Sequence, residues 1–300
     1  MIAVSEKTKK EFGISLNRIL SVARTEYVKW IMNPRMVILF VTIIFIYDYI
    51  IKEQLTAADK MVTRIMIAEP FVAAANSEFI ILAMPAVFLV LISDFPKTDG
   101  NTMFYIQRVG KNNWMLGQLL FAVMSAGTYL FTICLSTFLL VYHKAYISNS
   151  WSDVVTRYAQ RFPKESRSKI VNLINGRLYN NIKPFHALIR TFFLQFLFLL
   201  LIAVMLFVSF AVGKRMVGML IACSILCLGS GLCLLGSNIK WALPSAHALL
   251  WLRYDMVLKH QIVSVSSSYL YFLIMIAILM IIGFIAIKRY DFSKITDMED

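Results

Sequence analysis

Six stretches of this chain stay apolar for about the length needed to cross a bilayer, and that fixes most of what it can fold into. A crossing helix needs roughly 20 mainly apolar residues. Such runs cover 36–51 (lengthened by its flanks), 73–92, 116–142, 187–212, 216–235 and 269–287. With 59% hydrophobic residues over 300 positions, lipid must be the solvent for most of the chain. Inside lipid the backbone has to pair its own polar groups, which leaves helices as the simplest answer. The expected fold is all-α: a polytopic membrane protein with six transmembrane helices forming one transmembrane domain over 1–300.

The connections carry the remaining pattern. Over 12–33, Phe12, Leu16, Ile19, Leu20, Ala23, Tyr27, Trp30 and Ile31 recur at helical spacing, with Arg18, Arg24 and Lys29 beside them. This predicts an N-terminal amphipathic helix lying at the membrane interface and broken by Asn33-Pro34. The alternative is a plain extension of the first span. Gly213-Lys214-Arg215 leaves room only for a tight hairpin between spans four and five. Over 143–186, Trp151, Val154, Val155, Tyr158 and Phe162, then Ile170, Leu173, Ile174 and Leu178, predict two short amphipathic helices on the extracellular side. Arg157, Arg161, Lys164, Arg167 and Lys169 accompany them. Two readings are open: a cap that meets anionic lipid or polymer, and a solvated structural loop. Residues 237–266 include Trp241, Leu243, Pro244, Leu249, Leu250, Trp251 and Leu252. They are too apolar for a free loop and too few for two spans, so a re-entrant or interfacial outer helix before the last span is expected.

A net charge of +13 on a soluble chain would raise nucleic acid as a partner. Here the basic residues flank spans and face anionic headgroups, so membrane lipids are the expected partner and nucleic acid is not. Lys and Arg divide almost evenly between the two sets of connections. Lys214-Arg215 and Lys288-Arg289 sit tightest against their spans and place both termini in the cytoplasm. Cys134, Cys223, Cys227 and Cys233 lie within apolar runs, as packing residues do.

Catalytic patterns are missing. Gly110-Lys111 is followed by Asn112 and position 105 is Tyr, so the phosphate-cradling G-x-x-x-x-G-K-[ST] loop is not formed. There is no H-E-x-x-H, and His143, His186, His247 and His260 are scattered outside the runs. Asp48, Glu78 and Arg190 fall near span ends and leave the midplane nearly free of charge, which counts against a proton-coupled carrier. No catalytic, cofactor or metal residue is assigned, and the chain is not expected to be an enzyme. Pro85 can kink the second span, and Gly229-Ser230-Gly231 permits close contact in the fifth.

The polar island Asp94 to Gly117, DFPKTDGNTMFYIQRVGKNNWMLG, separates spans two and three. It reads as a turn at Thr98-Asp99-Gly100-Asn101, a helix over 102–109, a second turn over Gly110 to Asn113, and Trp114 at interfacial depth. The run from Arg108 to Gly117 is similar to the R-x-G-[RK]-x-x-W-x-x-G pattern after span two of bacterial type-2 permeases of ATP-binding-cassette exporters. The layout of interfacial helix, six spans and outer helix also resembles theirs. That resemblance implies a transmembrane subunit in the cell membrane, paired with a second copy or a related permease chain. It also implies a separate ATPase subunit that binds Mg-ATP, with no cofactor in this chain. Residues 94–115 would then be the cytoplasmic coupling helix, with Asp99, Arg108 and Lys111 as polar contacts to the ATPase and Phe104, Tyr105 and Trp114 as anchors. The substrate would be lipid-like, peptide or amphipathic, in a cavity lined by spans one, two and five. The large basic outer loop departs from compact members and leaves the substrate open. Rival classes are an ion-coupled secondary carrier, an integral membrane enzyme on lipid substrates, and an antimicrobial-sensing or immunity subunit.

Overall fold

In the computed structural model, which describes residues 13–77, 79–97, 102–165, 167–255 and 261–289, the apolar runs become a bundle of long helices. Among the described residues five helices are long and apolar enough to cross a membrane, and a pair bent by 84° brings the candidates to six if it is counted as one span. This is a multi-pass, all-α membrane protein. The expected spans three to six match Lys111–Val141, Pro184–Ala211, Arg215–Leu234 and Val265–Arg289. The fourth span is the centre of the bundle: 67% of its apolar window is buried inside the protein, against 17% for the last span, which packs on its flank. The last span therefore leaves most of its surface outside the bundle.

The first span runs from Pro34 to Met61, ten residues past the expected end. Lys52, Glu53, Gln54 and the Ala57-Ala58 pair are good helix formers, so the helix outlasts the apolar run. Within it, Tyr47–Ile51 is π-helical. Upstream, Asn33 accepts a hydrogen bond from the Arg35 amide (2.9 Å) and starts the short turn Pro34–Met36. The N-terminal helix, Leu16–Ile31, is thus separate from the first span rather than an extension of it. It leaves Leu16, Leu20, Val28 and Met32 exposed, an apolar strip suited to the headgroup boundary.

The second span is not one helix. Glu69–Asn76 and Ile80–Leu91 meet at a bend of 84°, and Glu78 lies outside the described residues. Twelve residues, Ile80 to Leu91, reach only about 18 Å, short of the ~30 Å hydrocarbon core. The expected straight run over 73–92 is therefore corrected to a short helix topped by a second that turns across its axis.

The connections are more broken than the spacing predicts. In place of two helices, 143–186 forms single turns at Asp153–Thr156, Tyr158–Arg161, Lys169–Asn172 and Gly176–Tyr179. Arg157 separates the first pair, Pro163 follows it, and Asn175 caps the last turn by accepting from the Arg177 amide (3.0 Å). Val154, Tyr158, Ile170, Leu173, Ile174 and Leu178 are nevertheless buried, so the segment is a packed lid and not a solvated loop. A two-stranded parallel pair, Ile65–Met66 with Ala145–Tyr146, ties it to the end of the first span. Ion pairs add to that tie: Lys144 with Asp59 (2.5 Å) and Lys60 with Glu165 (3.0 Å). The Tyr158 hydroxyl also donates to Glu165, and this bond, ahead of Lys60, holds the Glu165 carboxyl below the usual range.

The expected outer helix before the last span is likewise three short pieces, Asn238–Ala242, Pro244–Ala248 and Trp251–Arg253. Residues 244–254 are all buried. The piece re-enters the bundle because Gly229 lets it: a Cβ at 229 would collide with the Ser245 side chain. Arg253, fully buried, donates to the carbonyls of His247 and Ser264 and so closes the segment on itself.

Candidate functional site

One carboxylate gathers three helices. Asp94 follows the second span and pairs with Arg35 (2.5 Å), at the start of the first span, and Arg215 (3.8 Å), at the start of the fifth. Arg35 also donates to the Ser93 hydroxyl (2.7 Å), and Arg215 to the Ser93 carbonyl (3.1 Å). These groups are 39–47% exposed, so the pairs contribute little energy and mainly fix geometry. This end of the bundle is referred to below as the clamp end, and the opposite one as the loop end.

The polar island lies at the clamp end. Its helix, Thr102–Val109, is joined to the third span by Gly110 alone, at φ 91°. The left-handed φ costs glycine nothing. The expected four-residue turn, Gly110 to Asn113, is thus corrected: helix resumes at Lys111 and Asn113 lies within it. Asn113 then does two jobs. Its side-chain amide donates to the carbonyls of Val109 (3.0 Å) and Gly13 (3.3 Å), and its oxygen accepts from the Ser15 amide (2.9 Å). The N-terminal helix is therefore stitched to the joint between the short helix and the third span. Farther along, a Cβ at Gly117 would collide with Val22, so the two helices touch backbone to side chain there. Tyr27 reaches Thr128 (2.8 Å), and the Trp30 indole donates to the Leu91 carbonyl (3.1 Å). Short helix, N-terminal helix and third span form one packed unit.

The anchors named from sequence separate within that unit. Arg108 and Lys111 are exposed, beside exposed Gln107 and Asn112, while Ile106 and Val109 turn inward. Tyr105 is half-buried, with its hydroxyl 3.4 Å from that of Ser21. Trp114 is 1% exposed and stacks near Phe207 and Phe210, with centroids at 6.1 and 6.2 Å. It is a core residue of the third and fourth spans and offers no surface to a partner, which corrects its assignment as an anchor. Asp99 and the side chain of Phe104 lie outside the described residues.

At the loop end, polar residues missed in the sequence hold the broken second span. Asn76 closes the upper helix. Its side-chain amide donates to Val72 O and to the Thr191 hydroxyl (3.0 Å each), and its oxygen accepts from the Leu250 amide (2.9 Å). The Asn76 carbonyl, freed by the break, accepts from the Trp251 indole (3.1 Å), and Gln195 donates to the Ala75 carbonyl (2.9 Å). Fourth span and re-entrant segment thus satisfy the backbone that the bend exposes. At the other end of that helix Glu69, fully buried, accepts from the Ser152 amide (2.6 Å) and hydroxyl (2.7 Å), which pins the lid to the second span. The polar pair Asn76-Ser77 inside an apolar run, with Pro85 beyond, was the available signal for a break.

No known protein family matches this chain, and no curated protein or solved structure is similar to it. Architecture and chemistry therefore have to speak for function. Among the described residues no three His, Cys, Asp or Glu side chains converge as a metal site would need, and the four cysteines are free thiols. The two irregular helices do converge. The π-helical turn of the first span brings Tyr49 against Phe79, at the break of the second, with centroids 5.8 Å apart and Phe45 stacked on Tyr49 at 5.4 Å. Interrupted helices that face one another across a cavity are a common way to build a membrane binding site.

Proposed function

We propose that this chain is the transmembrane permease subunit of an ATP-driven exporter, working with a second permease chain and with a separate ATPase subunit that docks on the helix Thr102–Val109. The observation that carries this reading is the packed unit at the clamp end. A short solvent-side helix with an exposed face at Gln107, Arg108, Lys111 and Asn112 is joined through one glycine to a 31-residue span. The N-terminal helix is stitched to the same joint through Asn113. A push on the short helix would therefore move the third span and the interfacial helix together, as rigid-body gating requires. In this reading the clamp end is cytoplasmic, and Arg108 and Lys111 meet acidic or carbonyl groups of the ATPase.

Purification of the full chain from its own membranes in mild detergent tests it. An ATPase subunit should accompany the wild type and be lost from the double charge reversal R108E/K111E, while folding is unchanged because both side chains are exposed. An ATPase that stays bound to the double variant, or none bound to the wild type, would contradict docking at this face.

A further inference from the structure

Because the second span stops short and turns sideways, the space above it is left open. That space is a cavity of about 870 Å³ toward the loop end. Its depth follows from helix rise. Leu82, on its floor, lies nine residues from the clamp-end terminus of its helix, about 14 Å and thus near the bilayer centre. Tyr49 and Ser230, on its walls, are 15 residues into their spans, about 22 Å from the clamp end. Its roof is the lid, which contributes Lys169 and Arg177.

The cavity is polarised along that axis. Its deep wall is apolar, with Phe79 and Leu82, while Leu234, the last residue of its span, lines it at the loop end. Lys169 and Arg177 are the only charged groups among the described lining residues, and neither forms an ion pair with another described residue. Instead they sit over aromatic rings, Lys169 at 3.2 Å from the Tyr49 centroid and Arg177 at 5.9 Å from that of Trp251. Four other cations of the same layer do have a carboxylate partner: Lys52 with Asp48, Lys60 with Glu165, Lys144 with Asp59 and Arg157 with Asp153. Asp48 also feels the charge of Lys169, but it is bonded to Lys52 at 2.8 Å. Two cations held on ring faces over an apolar floor, with no carboxylate paired to them among the described residues, form a receptor for a molecule with the reverse polarity.

We infer that the cavity binds an anionic phospholipid, its phosphate between Lys169 and Arg177 and its acyl chain against Phe79 and Leu82, pointing from the loop end toward the bilayer centre. This names the substrate class of the transport reading; it rests on that reading for movement of the lipid and not for its binding. The π-helical turn at Tyr47–Ile51 has a use here: it places Tyr49 both on the cavity wall and under the Lys169 ammonium.

Native mass spectrometry of the purified full chain, offered equal amounts of phosphatidylglycerol and phosphatidylcholine with no ATPase present, tests the inference. The wild type should retain phosphatidylglycerol about tenfold better: both lipids offer a phosphate, but the trimethylammonium of phosphatidylcholine cancels its charge and is repelled by the two cations. K169Q/R177Q should fall to parity. K164Q/R167Q, which alters exposed cations of the same loop outside the cavity, should keep the preference. K169R/R177K, which preserves both charges, should keep it too and shows that loss in the glutamine variant is not misfolding. L82W should lower retention of both lipids by filling the shaft. Equal retention of the two lipids by the wild type, or a preference that survives K169Q/R177Q, would overturn the inference. So would displacement by glycerol 3-phosphate as effective as by excess phosphatidylglycerol, since the tail would then contribute nothing. A chain that copurifies with an ATPase yet shows no lipid preference keeps the transport reading and loses this one.

Discussion

At the clamp end, Asp94 draws the first, second and fifth spans to a single point and Asn113 binds three helical elements through one side chain, with regular helix on either side. At the loop end, the same first and second spans lose their regularity where Tyr49 meets Phe79, one to a π-helical turn and the other to an 84° bend. The contrast is physical. Continuous helices stitched by short polar contacts transmit displacement. Interrupted helices have freed backbone groups that neighbouring elements must satisfy, and such places can adopt more than one arrangement. A molecule built to be pushed at one end and to yield at the other would have this distribution of order.

That contrast can be broken most directly at Asn76. In N76L the Leu250 amide and the Thr191 hydroxyl lose a buried partner, and each stranded group costs about 1–3 kcal/mol. We expect a loss of about 3 kcal/mol in equilibrium unfolding in detergent micelles, with the re-entrant segment at 244–254 becoming open to hydrogen exchange. A stability change below about 1 kcal/mol would mean the bend is held by packing alone. Next in size is G117V at the opposite end. The new side chain must displace Val22 and prise the N-terminal helix from the third span, a cost of about 2 kcal/mol. Cysteine crosslinking between positions 27 and 128, efficient in a background without it, should fall in the G117V variant.

Smaller still is D94N. Its ion pairs are half-exposed, so unfolding should change by about 0.5 kcal/mol or less. A cost well above that would show the clamp to be an energetic feature rather than a geometric one. The mildest test is of pH at the lid. Glu165 has its carboxyl lowered in the folded protein, so its contribution is present above the unfolded carboxylate range and is lost as pH falls through the lowered value. Protection from hydrogen exchange over 153–165, corrected for the intrinsic rate at each pH, should therefore fall on acidification more in the wild type than in E165Q, which should already be less protected at neutral pH.

Much of the clamp end was readable from sequence, and the reason is local. Asn33-Pro34, Gly110 and Gly213 act through their own backbone, and the apolar runs of 187–212, 216–235 and 269–287 need no partner to declare themselves. What failed depends on contacts far apart in the chain. Trp114 reads as interfacial until Phe207 and Phe210 surround it. Asn76 reads as one polar residue in an apolar run until Thr191 and Leu250 claim its side chain. Glu69 and Arg253 gave no periodic signal because each is buried through partners in another connection or a nearby carbonyl. The two strands at 65–66 and 145–146 are too short for any alternation to register.

The central claim is that this chain holds no motor and is driven from its clamp end. Its most direct test is lipid flipping in liposomes that contain a fluorescently tagged phosphatidylglycerol, read as the fraction of tag reached by an external quencher. The subunit alone should leave the lipid where it is, with or without an ion gradient, and the subunit with its copurified ATPase should move it only when Mg-ATP is supplied. Turnover by the lone subunit without nucleotide would contradict the account.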